Sequence, residues 1–239
     1  MNTNSNAYVM TFAVGICVVM STALAFLATS LKPTQEAAAE FDRQKNVMMA
    51  AGMIERGDPR PRAELEKLFA ERVEEVVIDT ESGDVVAGKT DEELAELRKQ
   101  DPKRYRRVGI SKTESGEVDT YILPISGKGL WSTLYGYLAL ESDKNHVRGI
   151  QFYKHGETPG LGGEVENPKW TAKWKGKTIR DAEGDLVSIT VKKGVVDPAI
   201  EREKEHAVDG LAGATITSKG VQSFVKSDLE AFAGYLGKE

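Results

Sequence analysis

No lysine, arginine, aspartate or glutamate occurs before Lys32, although the 239-residue chain holds 32 basic and 37 acidic residues. Cysteine is nearly missing too. Its single copy, Cys17, lies inside the charge-free stretch, so the rest of the chain can form no internal disulfide, cysteine-ligated zinc site or iron–sulfur cluster, and it offers no thiol nucleophile. The three histidines, His146, His155 and His206, have no metal-ligand spacing and read as surface or turn residues, so no metal site is expected. Eight prolines against 23 glycines exclude a collagen-like or low-complexity chain. A net charge of -5 supplies no basic stripe for phosphates, which argues against nucleic acid as a partner. No G-x-S-x-G, Walker or G-x-G-x-x-G signature occurs, so a stand-alone hydrolase, nucleotidase or NADH-oxidising enzyme is not indicated and no catalytic side chain is assigned.

What is present begins with 24 uncharged residues from Tyr8 to Leu31. As a helix they would span about 36 Å, more than a hydrocarbon core of about 30 Å, which predicts one tilted transmembrane helix. A cleavable signal peptide would use Ala37-Ala38-Ala39, but it needs a basic leading region and a shorter apolar run. Counting Lys32, Arg43 and Lys45 just after the helix places the following domain in the cytoplasm, by a rule that is weak for long domains.

The expected organisation is a tail at 1–7, the transmembrane helix at 8–31, a helical stalk with a small α/β region at 32–104, and a larger domain at 105–239. Pro33 and Thr34 would open the stalk helix and Gly52 would end it. A second helix is predicted from about Pro61 to Val73, a β-hairpin around Thr80–Asp84, and a helix opened by a Thr90/Glu93 capping box. RYRRVGI, DTYILPIS, LYGYLALES, HVRGIQFYK and GDLVSITV read as strands, NPKWTAKW as short helix, and Thr217–Leu236 as an amphipathic terminal helix. Strands in runs rather than strict alternation with helices predict an α+β fold with a largely antiparallel sheet flanked by helices.

Two segments invite chemistry. Asp209-Gly210-Leu211-Ala212-Gly213-Ala214-Thr215-Ile216-Thr217-Ser218 lets backbone approach a bulky ligand just where helix-start amides would hold a phosphate near Thr215 and Thr217. Read by spacing alone it is a helix cap, with Thr217 or Ser218 as the capping residue. In His155-Gly156-Glu157-Thr158-Pro159-Gly160-Leu161-Gly162-Gly163, Pro159-Gly160 suits the centre of a type II turn. Such a turn can aim amides at the pyrimidine edge of a flavin, with Leu161 as an apolar contact; its plain reading is a tight hairpin. Trp131, Tyr135, Tyr137, Trp170 and Trp174 could border a flavin ring or fill the core.

HGETPGLGGEVENPKW, DGLAGATITSKGV downstream and GLWSTLYGYLAL upstream together resemble the C-subunit family of the Na+-translocating NADH:quinone reductases, within the wider covalent-FMN domain family. The resemblance covers nearly the whole chain, including the single N-terminal helix. It implies an electron-carrying flavoprotein subunit of a bacterial inner-membrane redox pump, inactive alone and partnered by the other subunits. It also implies FMN joined by phosphoester to Thr215, delivered from FAD by a separate Mg-dependent flavin transferase. The positions of Asp209, Gly213, Ala214, Thr215, Thr217 and Ser218 match the family's attachment motif, and Glu157, Thr158, Gly160, Leu161 and Gly162 match its second loop. Ala212 departs from it, since Ser or Thr usually stands there. The family places its flavin domain on the periplasmic face, against the count of Lys32, Arg43 and Lys45. Two alternatives are the G subunit of the Rnf complex, which shares the attachment motif, and a membrane-tethered scaffold that binds no cofactor. Residues 32–104 and GLWSTLYGYLAL favour the quinone reductase.

Overall fold

The computed structural model describes residues 5–238. Most of the expected 1–7 tail lies outside the described residues, and helix α1 (Asn6–Ala50) already includes positions 6 and 7. The chain divides into a unit of residues 1–43 and a compact unit of residues 44–239.

In the first unit α1 carries an apolar stretch of mean hydropathy 2.2, long enough to cross a membrane. Phe12, Val19, Leu24 and Phe26 are exposed along it, a continuous apolar surface that fits a single-pass anchor. The expected break at Pro33 does not occur, and Thr34 caps nothing: α1 runs through Pro33 without interruption. Proline there removes one amide donor, and the helix-favouring Ala37-Ala38-Ala39 that follows sustains the next turns. The stop at Gly52 is as expected. Gly52 adopts φ +71°, the Met53 amide bonds the Met48 carbonyl at 2.9 Å, and the Gly52 amide bonds that of Met49 at 3.1 Å, a Schellman cap.

The second unit contains helix α2 (Arg62–Arg72), strands β1 (Val73–Asp79) and β2 (Asp84–Val85), and helix α3 (Asp91–Gln100), whose Thr90/Glu93 capping box forms as expected. Then come β3 (Tyr105–Lys112), β4 (Val118–Lys128), β5 (Thr133–Glu141) and β6 (Val147–Lys154). All six strands form one antiparallel sheet in the order β2-β1-β3-β4-β5-β6. Because β1 pairs with β3 along its length, the small α/β region before residue 105 and the larger region after it are joined by backbone hydrogen bonds rather than by a linker.

After β6 the chain makes a 3-10 turn at Gly162–Glu166, the short helix α4 (Pro168–Thr171) and a further turn to Trp174. Strand β7 (Thr190–Lys192) pairs in parallel with β8 (Ala207–Asp209) across helix α5 (Glu201–His206). GDLVSITV therefore yields only a short strand; Ser188, at φ +61°, breaks its extended run. His206 is buried rather than superficial, its Nδ1 donating to the Thr178 carbonyl at 2.8 Å.

Terminal helix α6 (Thr215–Leu236) starts two residues earlier than its apolar periodicity predicts. It buries Val221, Phe224, Val225, Leu229 and Phe232 with Leu123, Ile125, Leu138 and Phe152 of the sheet in one core. Two glycines set how closely it lies on β4. A Cβ on Gly127 would sit 2.2 Å from the Phe224 Cβ, and one on Gly220 would sit 2.3 Å from the Lys128 carbonyl oxygen. Farther along, Asp228 accepts from the Ser126 amide at 2.8 Å and from Arg106 at 2.7 Å. The first turn of α6 is thereby held beside the β4–β5 turn.

Candidate flavin site

Glu157 is the hub of the loop after β6. Although only 5% exposed, its carboxylate accepts from the amides of Leu130 (3.2 Å), Trp131 (3.0 Å) and Ser132 (3.0 Å). It also accepts from the Ser132 hydroxyl at 3.2 Å and the Thr217 hydroxyl at 2.7 Å. Burial opposes its charge, but Thr217 and the three amides outweigh burial and hold the carboxyl at about 2. One side chain thus joins the β4–β5 turn, the loop after β6 and the start of α6.

Beyond Glu157 the backbone folds as its residues predict. The Leu161 amide bonds the Thr158 carbonyl at 3.1 Å and Gly160 takes φ +74°, as the third residue of a type II turn requires. The Gly163 amide bonds the same carbonyl at 2.9 Å, so the turn's own bonds leave out the amides of Gly160 and Gly162. Gly162 is packed against the hub: a Cβ there would lie 2.6 Å from Thr217 Oγ1 and 2.7 Å from Glu157 Oε2.

The loop before α6 is braced from behind. Asp209 accepts from the Val196 amide at 2.7 Å and from Lys173, while its carbonyl accepts from Trp170 Nε1 at 2.8 Å. Burial opposes the Asp209 charge, and the bonds from Lys173 and Val196 outweigh it, keeping the carboxyl below its usual range. Gly210 has no room for a side chain, since a Cβ would fall 2.3 Å from the Lys192 carbonyl oxygen. The Ala214 amide bonds the Leu211 carbonyl at 3.1 Å across a turn in which Gly213 has φ +70°. The two motifs touch here, because a Cβ on Gly213 would meet Leu161 Cδ2 at 2.8 Å.

The expected side-chain cap is absent. Ala214 is the N-cap of α6 and provides none, while Thr217 and Ser218 lie inside the helix. Thr217 turns inward to Glu157, and the Ser218 hydroxyl accepts from the Leu211 amide at 3.0 Å. At about 100° per residue, two inward hydroxyls at 217 and 218 rotate Thr215 outward, and it is exposed. Thr215 lines two adjoining clefts of about 370 Å³ and about 550 Å³, which also share Lys193, Gly194, Gly210 and Leu211. Lys219 lines the first cleft and Lys173 and Ala212 the second. A threonine hydroxyl beside an uncapped helix start, with lysines within the same clefts, is suited to a phosphate.

Apolar contact is available nearby. Leu130, Trp131 (69% exposed), Leu161 and Ile216 are exposed, and all four belong to the segments that Glu157 joins. Tyr135 is also partly exposed. Trp170, Trp174 and Tyr137 are instead buried in the fold. Sequence reasoning missed Lys193-Gly194 and Gln222, whose side chain accepts from the Val191 amide at 3.0 Å. The Lys-Lys-Gly run after a short strand was the available signal. These residues fit FMN in kind: an outward hydroxyl with amides and cations for its phosphate, and exposed apolar groups for its ring.

Residues 129–230 match the FMN-binding domain family, which defines the class as a flavin-binding domain, here carried behind an apolar N-terminal helix. The C-subunit of the Na(+)-translocating NADH-quinone reductase from Pseudomonas aeruginosa is 41% identical, covering 99% of this chain and 98% of that protein. Its counterpart from Haemophilus ducreyi is 34% identical, covering 99% and 95%. The crystal structure of the corresponding C-subunit from Parabacteroides distasonis superposes with a TM-score of 0.70 at 28% identity, covering 87% of this chain and 98% of that one. The chain belongs to the C-subunit family of the Na(+)-translocating NADH-quinone reductases.

Proposed function

We propose that this subunit carries FMN through a phosphoester to Thr215 and passes electrons within a membrane-bound, Na+-translocating NADH:quinone reductase. The observation that carries the reading is the outward Thr215 hydroxyl at an uncapped helix start, on the rim of clefts that also contain Lys173, Lys193 and Lys219. FMN, when bound, supplies the redox chemistry; the chain anchors, orients and electrically biases it. Amides at Thr215–Thr217 and the lysines would hold the phosphate, while Gly160 and Leu161 would face the ring and Thr158 and Gly162 shape the turn. Gly213 keeps the loop thin, and Asp209, Ser218 and Thr217 hold it from behind. A separate flavin transferase would install FMN from FAD, and the domain would lie in the periplasm with α1 as its single anchor in the inner membrane. A phosphoester suits that compartment, where a dissociated flavin would be hard to replace.

Intact mass after expression with and without a flavin transferase tests attachment, together with fluorescence of the denatured band. The wild-type chain should gain the mass of FMN only with the transferase, and Thr215→Val should gain none. A fluorescent Thr215→Val band would refute the assignment. For topology, alkaline phosphatase fused at the C terminus should be active in intact cells, and an active cytoplasmic reporter at that point would restore the orientation given by Lys32, Arg43 and Lys45.

A further inference from the structure

Glu157, which belongs to the loop matching the family's second motif, lines neither cleft beside Thr215. Its carboxylate is instead committed to five donors, three successive amides of the 130–132 turn and the hydroxyls of Ser132 and Thr217. None of those donors carries a formal charge, and among the described residues no ion pair involves Glu157. Dipoles stabilise its negative charge without cancelling it, in a buried place where a field is weakly screened. Thr217 is 1% exposed and two residues from Thr215, so its bond to Glu157 fixes the rotation that turns Thr215 outward.

We propose that Glu157 is a positioning residue for the flavin: through Thr217 it locks α6, and hence Thr215, against the 130–132 and 158–161 turns, and its uncompensated charge lowers the flavin's reduction potential. The inference rests on FMN being attached at Thr215. Glu157 touches neither the flavin nor a proton in transit, and it acts through geometry and field alone.

The field makes a prediction of sign. Glu157→Gln keeps the shape and removes the charge, so reduction of the flavin becomes easier and its potential rises. Thr217→Val removes the shortest of the five donors and leaves the carboxylate less neutralised, so the potential falls. Thr217→Ser retains the hydroxyl and stays at the wild-type value. A role confined to loop order would move Glu157→Gln and Thr217→Val in the same direction, since both loosen the same junction.

The experiment is spectroelectrochemical titration of the full-length, flavinylated chain in detergent, with attachment scored separately by fluorescence of the denatured protein. Opposite shifts for Glu157→Gln and Thr217→Val, with Thr217→Ser unmoved, support the proposal. Shifts of one sign, or no shift in folded and flavinylated variants, overturn it. Should Glu157→Gln fail to fold, Thr217→Val and Thr217→Ser decide alone: a fall in Val only supports the field, and equal potentials refute it. A wild-type chain without flavin after exposure to the transferase would overturn the attachment reading and this inference together, whereas an attached flavin with unmoved potentials would overturn this inference only.

Discussion

The loop after β6 turns its carboxylate inward, whereas the loop before α6 delivers a threonine hydroxyl to solvent. Glu157 is buried with five donors, and the Thr158 carbonyl accepts two amides of its own turn. Thr215, by contrast, is exposed at a helix start without a side-chain cap. Both loops are rich in glycine, but in the first it permits close packing around a carboxylate, and in the second it lets the chain lie close against the Lys192 backbone and Leu161. The contrast separates what holds the site from what reacts there, and substitution should split stability from attachment along the same line.

The largest effect on stability is expected at Glu157→Ala. Removing the carboxylate strands the Leu130, Trp131 and Ser132 amides and the Thr217 hydroxyl together, a loss of about 3–5 kcal/mol in urea unfolding. Thr215→Val should change stability by less than about 0.5 kcal/mol while abolishing attached flavin. Equal stability losses in the two variants would erase the distinction.

Acid should weaken the inward loop selectively. The Glu157 carboxyl is depressed in the folded chain to about 2 from an ordinary 4.5, so its contribution is fully present above about 4.5 and is lost as pH falls toward 2. That interval corresponds to about 3 kcal/mol at most. The stability gap between wild type and Glu157→Gln should shrink steadily across it. Asp228 works in the opposite sense, because burial raises its carboxyl against the pull of Arg106, so its protonation at falling pH favours the folded chain. Repeating the titration in Asp228→Asn should steepen the net acid loss; a gap between wild type and Glu157→Gln that is flat with pH would show that the Glu157 charge adds no stability.

A smaller effect is expected where the outward loop is fastened. Ser218→Ala leaves the buried Leu211 amide without its 3.0 Å partner, at about 1–2 kcal/mol. Because that bond sets the approach of residues 211–214 to the helix, flavin attachment by the transferase should slow, with the final extent unchanged. Attachment at the wild-type rate would make the Leu211–Ser218 bond irrelevant to the acceptor's shape.

How much of this was legible in the sequence follows from the range of each interaction. The capping box at Thr90, the stop at Gly52, the four long strands and the Thr158–Leu161 turn depend on neighbours a few residues apart, and all are found. The continuity of α1 through Pro33 was not legible, because a proline reads as a break whereas a long helix can lose one donor and continue. Nor was the inward direction of Glu157, whose donors lie 25 to 27 residues before it and 60 after. The uncapped start of α6 was hidden as well: threonine and serine at 217 and 218 look like caps, but Glu157, 60 residues away, claims one hydroxyl and the Leu211 amide, seven residues back, claims the other. The site's residue types were visible, and their division between brace and acceptor required the fold.

The smallest effect on flavin attachment should come at Gly160, which lies in the inward loop but outside its hub. A Cβ there would meet nothing within 4 Å, so Gly160→Val costs only the strain of placing a β-branched residue at φ +74°, about 1–2 kcal/mol. The Thr215 hydroxyl and the five bonds of Glu157 are untouched, so FMN should remain attached and urea unfolding should shift by no more than that strain. What changes is the aim of the amides near Gly160, since relaxing φ reorients the turn closed by the Leu161 amide on the Thr158 carbonyl. If those dipoles favour negative charge on the reduced ring, moving them lowers the reduction potential, as titration of the flavin absorbance would read. Gly160→Ala should shift it in the same direction and by less, because alanine tolerates positive φ better than a β-branched side chain does. Wild-type potentials in both folded, flavinylated variants would make the turn a structural connection, leaving the bias on the flavin to the Glu157 charge alone.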